Sequence, residues 1–380
     1  MNERIRRKEG ACRKLMQIVL CLLVSINLMG NQILTANAKE TTYTFPDENQ
    51  KHEGTWLIWP HAHTYGKAYA RSIEPIWIEM VKALAPGEHV HIIAYDQKLK
   101  KHIVSKLNEA GIDRNQVDFV IAKSDDVWAR DTGPMFVYDA QGQLHIVDFG
   151  FDGWGKKMPY RKDDRIPQTA AKATGIPRID VSKFVLEGGS VDIAADGTVL
   201  ATKSAVISKN RNPHCSQAKA ERYLKKYLGA KKFIWLEGVT DEDITDAHID
   251  GFARFYDAQT ILTVPEEDFF DLYENIKASD YDILQEATNA SGERYKIVEV
   301  PLTSKNVTGL DYKGSYLNYY LGNEVLLLPV YGDANDQTAV TIMQNLYPDH
   351  TIVPINVTAL YKNGGMLHCV TQQQPLSQAE

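Results

Sequence analysis

Near the C-terminus the run Asn363-Gly364-Gly365-Met366-Leu367-His368-Cys369-Val370 sets a single cysteine behind two glycines, residues that let backbone come close to a bound group. A thiol in that position is suited to nucleophilic attack. The bland alternative is a small buried apolar side chain, with Asn363 and Gly364 closing a helix over 359–362. In Asp246-Ala247-His248-Ile249-Asp250-Gly251 a titratable base and an anion stand two residues apart, a spacing that puts both on one face of a strand. A hydrogen-bonded core histidine is the structural alternative there. In Asp125-Asp126-Val127-Trp128-Ala129-Arg130-Asp131-Thr132-Gly133, Trp128 offers an aromatic face to a planar cation and Asp131 a carboxylate to grip it. Asp131 could instead cap the turn at Thr132-Gly133, and Trp128 could be core. The run Leu186-Glu187-Gly188-Gly189-Ser190 adds a carboxylate beside a glycine-dependent turn, either a plain hairpin or a group that orients the histidine.

These segments lie far apart in a chain of 380 residues, so a large fold must gather them. With 44% hydrophobic and 24% charged positions the composition is that of a globular protein with a sizeable core. A formal charge of −7 and the lack of a basic face beyond residue 14 argue against nucleic acid as a partner. Arg4, Arg6, Arg7, Lys8, Arg13 and Lys14 precede an apolar run over 15–29, and Ala36-Asn37-Ala38 follows as a small-residue cleavage site. Residues 1–38 are therefore read as a signal peptide cut after Ala38, which implies a secreted protein with no membrane anchor after cleavage. The apolar run is too short and too interrupted for the roughly 20 residues of a membrane span. Only Cys215 and Cys369 remain after cleavage, allowing at most one disulfide.

From residue 55 onward, short apolar runs alternate with amphipathic helices and no linker interrupts them, so 39–380 reads as one domain. Strands are expected over 56–59, 89–95, 118–122, around Phe136 and Ile146, and over 191–194, 199–201, 251–256, 260–264 and 325–330. Helices are expected from a Ser72 cap to Leu84, and over 217–228, 269–287 and 336–347. About five blocks of two or three strands and one helix result, each too small to bury its own face, which suggests units around a common axis. Hairpin turns such as Asp196-Gly197 disfavour the alternative of a doubly wound sheet.

The motifs together resemble the agmatine deiminase and bacterial peptidylarginine deiminase family of guanidino-modifying hydrolases. The likeness runs from His52-Glu53-Gly54-Thr55-Trp56-Leu57-Ile58-Trp59-Pro60 through Trp128-Ala129-Arg130-Asp131, Glu187-Gly188-Gly189, Asn210-Arg211-Asn212-Pro213 and His248-Ile249-Asp250 to Leu367-His368-Cys369. It implies a five-bladed α/β propeller (pentein fold) with the active site on its axis. It further implies Cys369 as nucleophile, His248 as general acid and base, and Asp131 and Asp250 as the carboxylates that hold the guanidinium. Asn318, in Ser315-Tyr316-Leu317-Asn318, matches a site position, Trp128 and Glu187 keep the roles outlined above, and no cofactor or metal is called for. The expected partner is a small cationic guanidino compound or an arginine-containing peptide.

Departures from the pattern bear on that choice. Agmatine-specific relatives usually carry more glycines before the cysteine, and an acidic residue four before the histidine that meets the agmatine amine; here that position is Ile244, with Asp243 and Asp246 close by and Asp246 the candidate substrate contact. Arg161-Lys162-Asp163-Asp164 resembles a segment near which the peptidylarginine branch places carboxylate-binding arginines, and the equivalent positions here look like Met158 and Tyr160. Export favours the peptidyl branch, whereas the wording of the motifs, including Gln372-Gln373-Gln374-Pro375, favours the agmatine branch. Rival readings are a metallohydrolase using His248, Asp250, His368 and Cys369, a cation- or peptide-binding propeller locked by a Cys215–Cys369 disulfide, and a cysteine amidase that would leave Asp131 and Asp250 unused.

Overall fold

The computed structural model describes residues 42–378, and the segment read as a signal peptide lies outside the described residues. Among the described residues no helix is long and apolar enough to cross a membrane.

The strands form five small mixed sheets. In four of them a hairpin supplies an antiparallel pair and a helical crossover returns a third strand parallel to the second: β4 (Met135–Tyr138), β5 (Leu144–Gly150) and β6 (Arg178–Val185); β7 (Val191–Ile193), β8 (Thr198–Thr202) and β9 (Lys232–Leu236); β10 (Ala253–Asp257), β11 (Thr260–Thr263) and β12 (Lys296–Glu299); β13 (Tyr320–Leu321), β14 (Val325–Val330) and β15 (Thr351–Asn356). The remaining sheet closes the chain on itself. Its β1 (His52–Ile58) pairs antiparallel with the C-terminal β16 (Thr371–Pro375) and parallel with β2 (His89–Ala94), which continues to β3 (Val117–Ile121).

The longest crossover helix shows the apolar stripe that docks such helices on the sheets. In the helix Ala62–Leu84 the buried positions Ile73, Ile76, Trp77, Met80, Val81 and Leu84 recur at three- and four-residue spacing. Burying a large apolar side chain of this kind contributes about 1.5–3 kcal/mol. This helix begins ten residues before the expected Ser72 cap, because His61 accepts from the backbone of His63 and Gly66, at φ 83°, kinks the helix without ending it. Ser72 lies inside, its hydroxyl donating to the Tyr69 carbonyl. The helix expected over 269–287 is broken into Glu266–Phe269 and Ala278–Glu286. Between them the Glu242 carboxylate accepts from the backbone N–H groups of Glu274 and Asn275, so those donors are not available to a helical ladder. The helix Gln217–Leu228 matches expectation, with a Ser216 cap and Gly229 left-handed at its end.

The first strand of every sheet is largely buried, and the segment leading into each carries a residue singled out above. Asp131 precedes β4, Glu187 and Gly189 precede β7, His248 and Asp250 precede β10, Asn318 precedes β13, and Cys369 precedes β16.

Candidate active site

Asp131 lies in the short helix Ala129–Thr132, whose N–H groups of Asp131 and Thr132 fold back onto the Trp128 carbonyl. Its Oδ1 accepts from the Gly189 N–H at 3.0 Å and its Oδ2 from the Trp154 indole at 2.9 Å. Burial raises the Asp131 carboxyl above its ordinary range, with the His248 charge working against that rise.

His248 and Asp250 do not share the face of a strand as the two-residue spacing suggested. Asp250 lies in the 3₁₀ turn Ile249–Gly251 ahead of β10 and His248 stands at that turn's start, and both side chains converge with Asp131 on Gly189. The His248 Nδ1 stands 3.7 Å from Oδ1 of Asp131 and its Nε2 3.3 Å from Oε2 of Glu187. Burial would lower the imidazole's pKa, but Asp131, Glu187 and Asp250 outweigh it and raise the value to about 9. Asp250 accepts from the His368 ring at 2.7 Å. Burial opposes its ionisation, yet the hydrogen bond and charge of His368 hold it below the usual carboxylate range.

Cys369 is half-buried in the 3₁₀ turn His368–Val370, with Sγ 3.3 Å from Oδ1 of Asn318 and 3.9 Å from Oδ2 of Asp250. Burial, then the charges of Asp250 and Asp131, push the thiol well above its ordinary value. Asn318 braces this turn: its Oδ1 accepts from the N–H groups of His368 and Cys369. Its Nδ2 donates to the Asp250 carbonyl at 3.4 Å.

Two glycines make room for this convergence. A Cβ on Gly189 would stand 2.7 Å from Nδ1 of His248, 2.9 Å from Oδ2 of Asp250 and 3.1 Å from Oδ1 of Asp131. One on Gly365 would sit 2.4 Å from the ring of Trp128 and 3.1 Å from Cβ of Cys369. Trp128 thus packs against the backbone beside the thiol.

Behind these groups lies a buried ion network. Arg211 donates from Nε to Glu187 at 2.6 Å, and from its two terminal nitrogens to Asp246 at 2.8 Å and to the Thr245 carbonyl at 2.9 Å. Asp246, expected to meet the substrate, is fully buried and accepts instead from Lys157, Arg211, Asn210 and the Asp241 N–H. That loop carries left-handed, non-glycine residues at Asp246 (φ 61°) and Ala247 (φ 63°), directly before His248. Its carbonyls are held by Ser204 and Thr202.

Trp154, Arg211 and Glu48 were not assigned roles from sequence. Only Trp154 carried a local signal, the flanking Gly153 and Gly155 of a four-residue left-handed turn that swings its indole onto Asp131. Cys215 and Cys369 are both free, so the disulfide reading does not hold. Cys215 packs at the edge of the cluster around Leu224 and Trp235, and Cys369 against a different cluster. Among the described residues no three His, Cys, Asp or Glu side chains are arranged to hold a metal ion.

The chain is similar to the agmatine deiminase of Pseudomonas aeruginosa (strain LESB58), with 30% identity over 366 residues covering 90% of this chain and 98% of that one. Among solved structures it resembles the agmatine deiminase of Enterococcus faecalis, with a TM-score of 0.78 and 27% identity over 88% of this chain and 96% of that one. It also resembles the C. jejuni agmatine deiminase, with a TM-score of 0.76 and 26% identity over 89% and 98%. Fold and site thus define a mixed α/β hydrolase of guanidino C–N bonds. Residues 44–375 match the Porphyromonas-type peptidyl-arginine deiminase family, and the chain belongs to it.

Proposed function

We propose that the protein hydrolyses the guanidinium group of agmatine to N-carbamoylputrescine and ammonia, through a covalent intermediate on Cys369. The observation that carries this reading is the meeting of His248, Asp250 and Asp131 around the Gly189 backbone, with the Cys369 thiol 3.9 Å from Asp250. Two carboxylates can hold the two edges of a planar cation while the sulfur attacks its carbon. The five sheets are read as the blades of a five-bladed propeller, and the first strand of each delivers one segment to the axis.

In this mechanism the bound cation neutralises the Asp131 and Asp250 charges that disfavour the thiolate in the empty site. As the cation binds, the Cys369 thiol loses its proton to solvent, and the thiolate forms an S–C bond with the guanidinium carbon, giving a tetrahedral adduct. His248, protonated at neutral pH, gives its proton to the departing nitrogen, and the C–N bond breaks to release ammonia and leave a thiouronium. The now neutral His248 takes a proton from water, whose oxygen attacks the same carbon. The S–C bond then breaks, leaving the ureido product and the thiol. Glu187, itself held by Arg211, keeps the imidazole oriented throughout.

One observation favours a peptidyl or free arginine as the second reading. The position at which agmatine-specific relatives carry an acid holds Ile244, which packs near Gly364. The nearby Asp243 and Asp246 carboxylates accept from Ala247, Thr245, Tyr273, Lys157 and Arg211, so neither is free for an amine. The basic, apolar and small-residue pattern of residues 1–38 supports export with cleavage after Ala38. N-terminal sequencing of protein from the culture medium tests this: a chain starting at Lys39 is expected, and a retained Met1 overturns it.

The test of activity offers agmatine and an internal-arginine peptide side by side to the chain from Lys39 to Glu380, with Cys369→Ala as control. Ureido product and ammonia from agmatine are expected. Turnover of the peptide alone moves the substrate to protein arginine, and activity that survives Cys369→Ala overturns the mechanism.

A further inference from the structure

Directly behind the candidate site, the N-terminal segment before β1 inserts one acidic side chain among the segments that carry the reacting groups. Glu48 receives hydrogen bonds from Arg130 at 3.0 Å and Arg254 at 2.5 Å, and its two oxygens stand 2.9 and 3.2 Å from Nε2 of His368. Each partner adjoins a site residue in sequence or in space. Arg130 precedes Asp131, His368 precedes Cys369 and bonds Asp250, and Arg254 lies in β10, which follows Asp250. Arg130, Arg254 and His368 are almost wholly buried, so Glu48 balances cationic groups that water does not reach.

We propose that Glu48 is a positioning residue for guanidinium capture, acting through His368 to hold Asp250 in its orientation and in its ionised form. The His368 ring lies between two carboxylates, with Nδ1 on Asp250 and Nε2 on Glu48. A neutral imidazole has one N–H and one lone pair and so can donate to only one of them; both contacts are satisfied when the ring carries both protons. In that arrangement an N–H of the ring points at the carboxylate that must grip the substrate, and Glu48 on the opposite edge fixes the ring in that orientation. This role rests on the reaction proposed above, and nothing in that mechanism requires Glu48.

Among the described residues no carboxylate other than Asp250 and Glu48 is hydrogen-bonded to the His368 ring. Asp250 is faced by His368 and Cys369 from the turn before β16, by His248 from its own turn, by Arg254 from β10 and, across Gly189, by Asp131. Glu48 is faced by His368, Arg130 and Arg254, with Tyr319, Tyr320 and Asp192 beyond them. Asp192 approaches Arg254 at 3.7 Å and accepts from the Phe255 N–H at 2.7 Å, and burial pushes its pKa up to about 6. Asp192 feels the His368 charge, but its contacts are to Arg254 and the Phe255 N–H rather than to the His368 ring.

The test compares Glu48→Gln with wild type on whichever guanidino substrate wild type turns over, with Asn49→Ala as a control for disturbing the segment itself. Loss of the charge is expected to let the Asp250 pKa rise, moving the acidic limb of kcat/KM upward by about one pH unit. At pH 7 kcat/KM is expected to fall by about 10- to 100-fold, mainly through KM. A loosened structure alone would lower kcat at every pH and leave the limb in place, and that result overturns the proposal. His368→Gln removes the ring's charge while leaving Glu48 with both arginines, and it serves if Glu48→Gln, which leaves those arginines without their shared carboxylate, does not fold. The same upward shift is expected there, and an unmoved limb overturns the proposal equally. Wild type without activity on any guanidino substrate overturns the proposed reaction and this role together; an active wild type with unchanged variants overturns this role alone.

Discussion

Nε2 of His248 lies 3.3 Å from Oε2 of Glu187, a fully buried carboxylate whose other oxygen is held by Arg211 at 2.6 Å. Against burial, Asp131 first, then Glu187 and Asp250, keep the imidazole charged at neutral pH, with its pKa raised to about 9. A group whose folded pKa is raised contributes stability below its unfolded value, and that contribution is lost as pH rises through the folded one. The His248 contribution should therefore be full below about pH 6.5 and gone above about pH 9. In activity, the basic limb of kcat/KM is expected near pH 9, and Glu187→Gln should move it down by about one unit with an activity loss of about 10- to 100-fold at pH 8. A limb that stays in place in Glu187→Gln removes Glu187 from this role.

The reactivity of Cys369 should respond to charge in a direction opposite to catalysis. Asp250 and Asp131 help hold the thiol protonated in the empty site. Asp250→Asn is expected to speed alkylation of Cys369 by iodoacetamide at pH 7.5 while abolishing turnover. Slower alkylation in that variant would show that the carboxylate is not what restrains the thiolate.

Trp154 holds one oxygen of Asp131 through a 2.9 Å hydrogen bond. A hydrogen bond to a charged group contributes about 1.5–3 kcal/mol, so Trp154→Phe, which keeps most of the packing, should raise KM by about tenfold or more with a smaller change in kcat. An unchanged KM would mean that the Gly189 N–H alone orients the carboxylate.

Gly189 is open space that only a missing Cβ can provide. Gly189→Ala would press a methyl to within 2.7 Å of His248 and 2.9 Å of Asp250. Activity should fall by at least about 100-fold, in keeping with the sensitivity of catalysis to displacements near 1 Å, while the melting temperature changes little. Retained activity would place the guanidinium elsewhere.

Ala247 adopts φ 63° immediately before His248. A left-handed non-glycine residue costs about 1–2 kcal/mol, part of which glycine returns as unfolded-chain entropy, so Ala247→Gly should stabilise the protein by about 0.5–1 kcal/mol in urea unfolding. Ala247→Val should destabilise it, because a branched Cβ fits that backbone poorly. Destabilisation by glycine would show that the loop carbonyls bonded to Thr202 and Ser204, rather than local strain, govern this segment.

Periodicity in the sequence marked the crossover helices well where apolar spacing was regular, as at Ile73, Ile76, Trp77, Met80, Val81 and Leu84. It missed the outer strand β12, where two half-buried residues lie between exposed ends, because a sheet edge leaves little hydrophobic alternation. The helix expected over 269–287 failed for a long-range reason, the capture of two backbone N–H groups by Glu242. The site motifs were legible because each carries an unusual pairing of residue types, whereas Arg211 and Glu48 are ordinary charges whose meaning lies in what they touch.

The sequence by itself determined which residues can do the chemistry: one cysteine among glycines, a histidine two from an aspartate, and a second aspartate beside a tryptophan. Residue type sets nucleophilicity, charge and proton affinity in advance of any fold. Only the tertiary structure decided where those groups point. It turned His248 and Asp250 out of a strand onto a 3₁₀ turn, drew Asp246 away into a buried ion network, kept Cys215 and Cys369 apart, and set Glu48 behind His368. These outcomes depend on contacts between residues up to 320 positions apart, which local propensity does not encode.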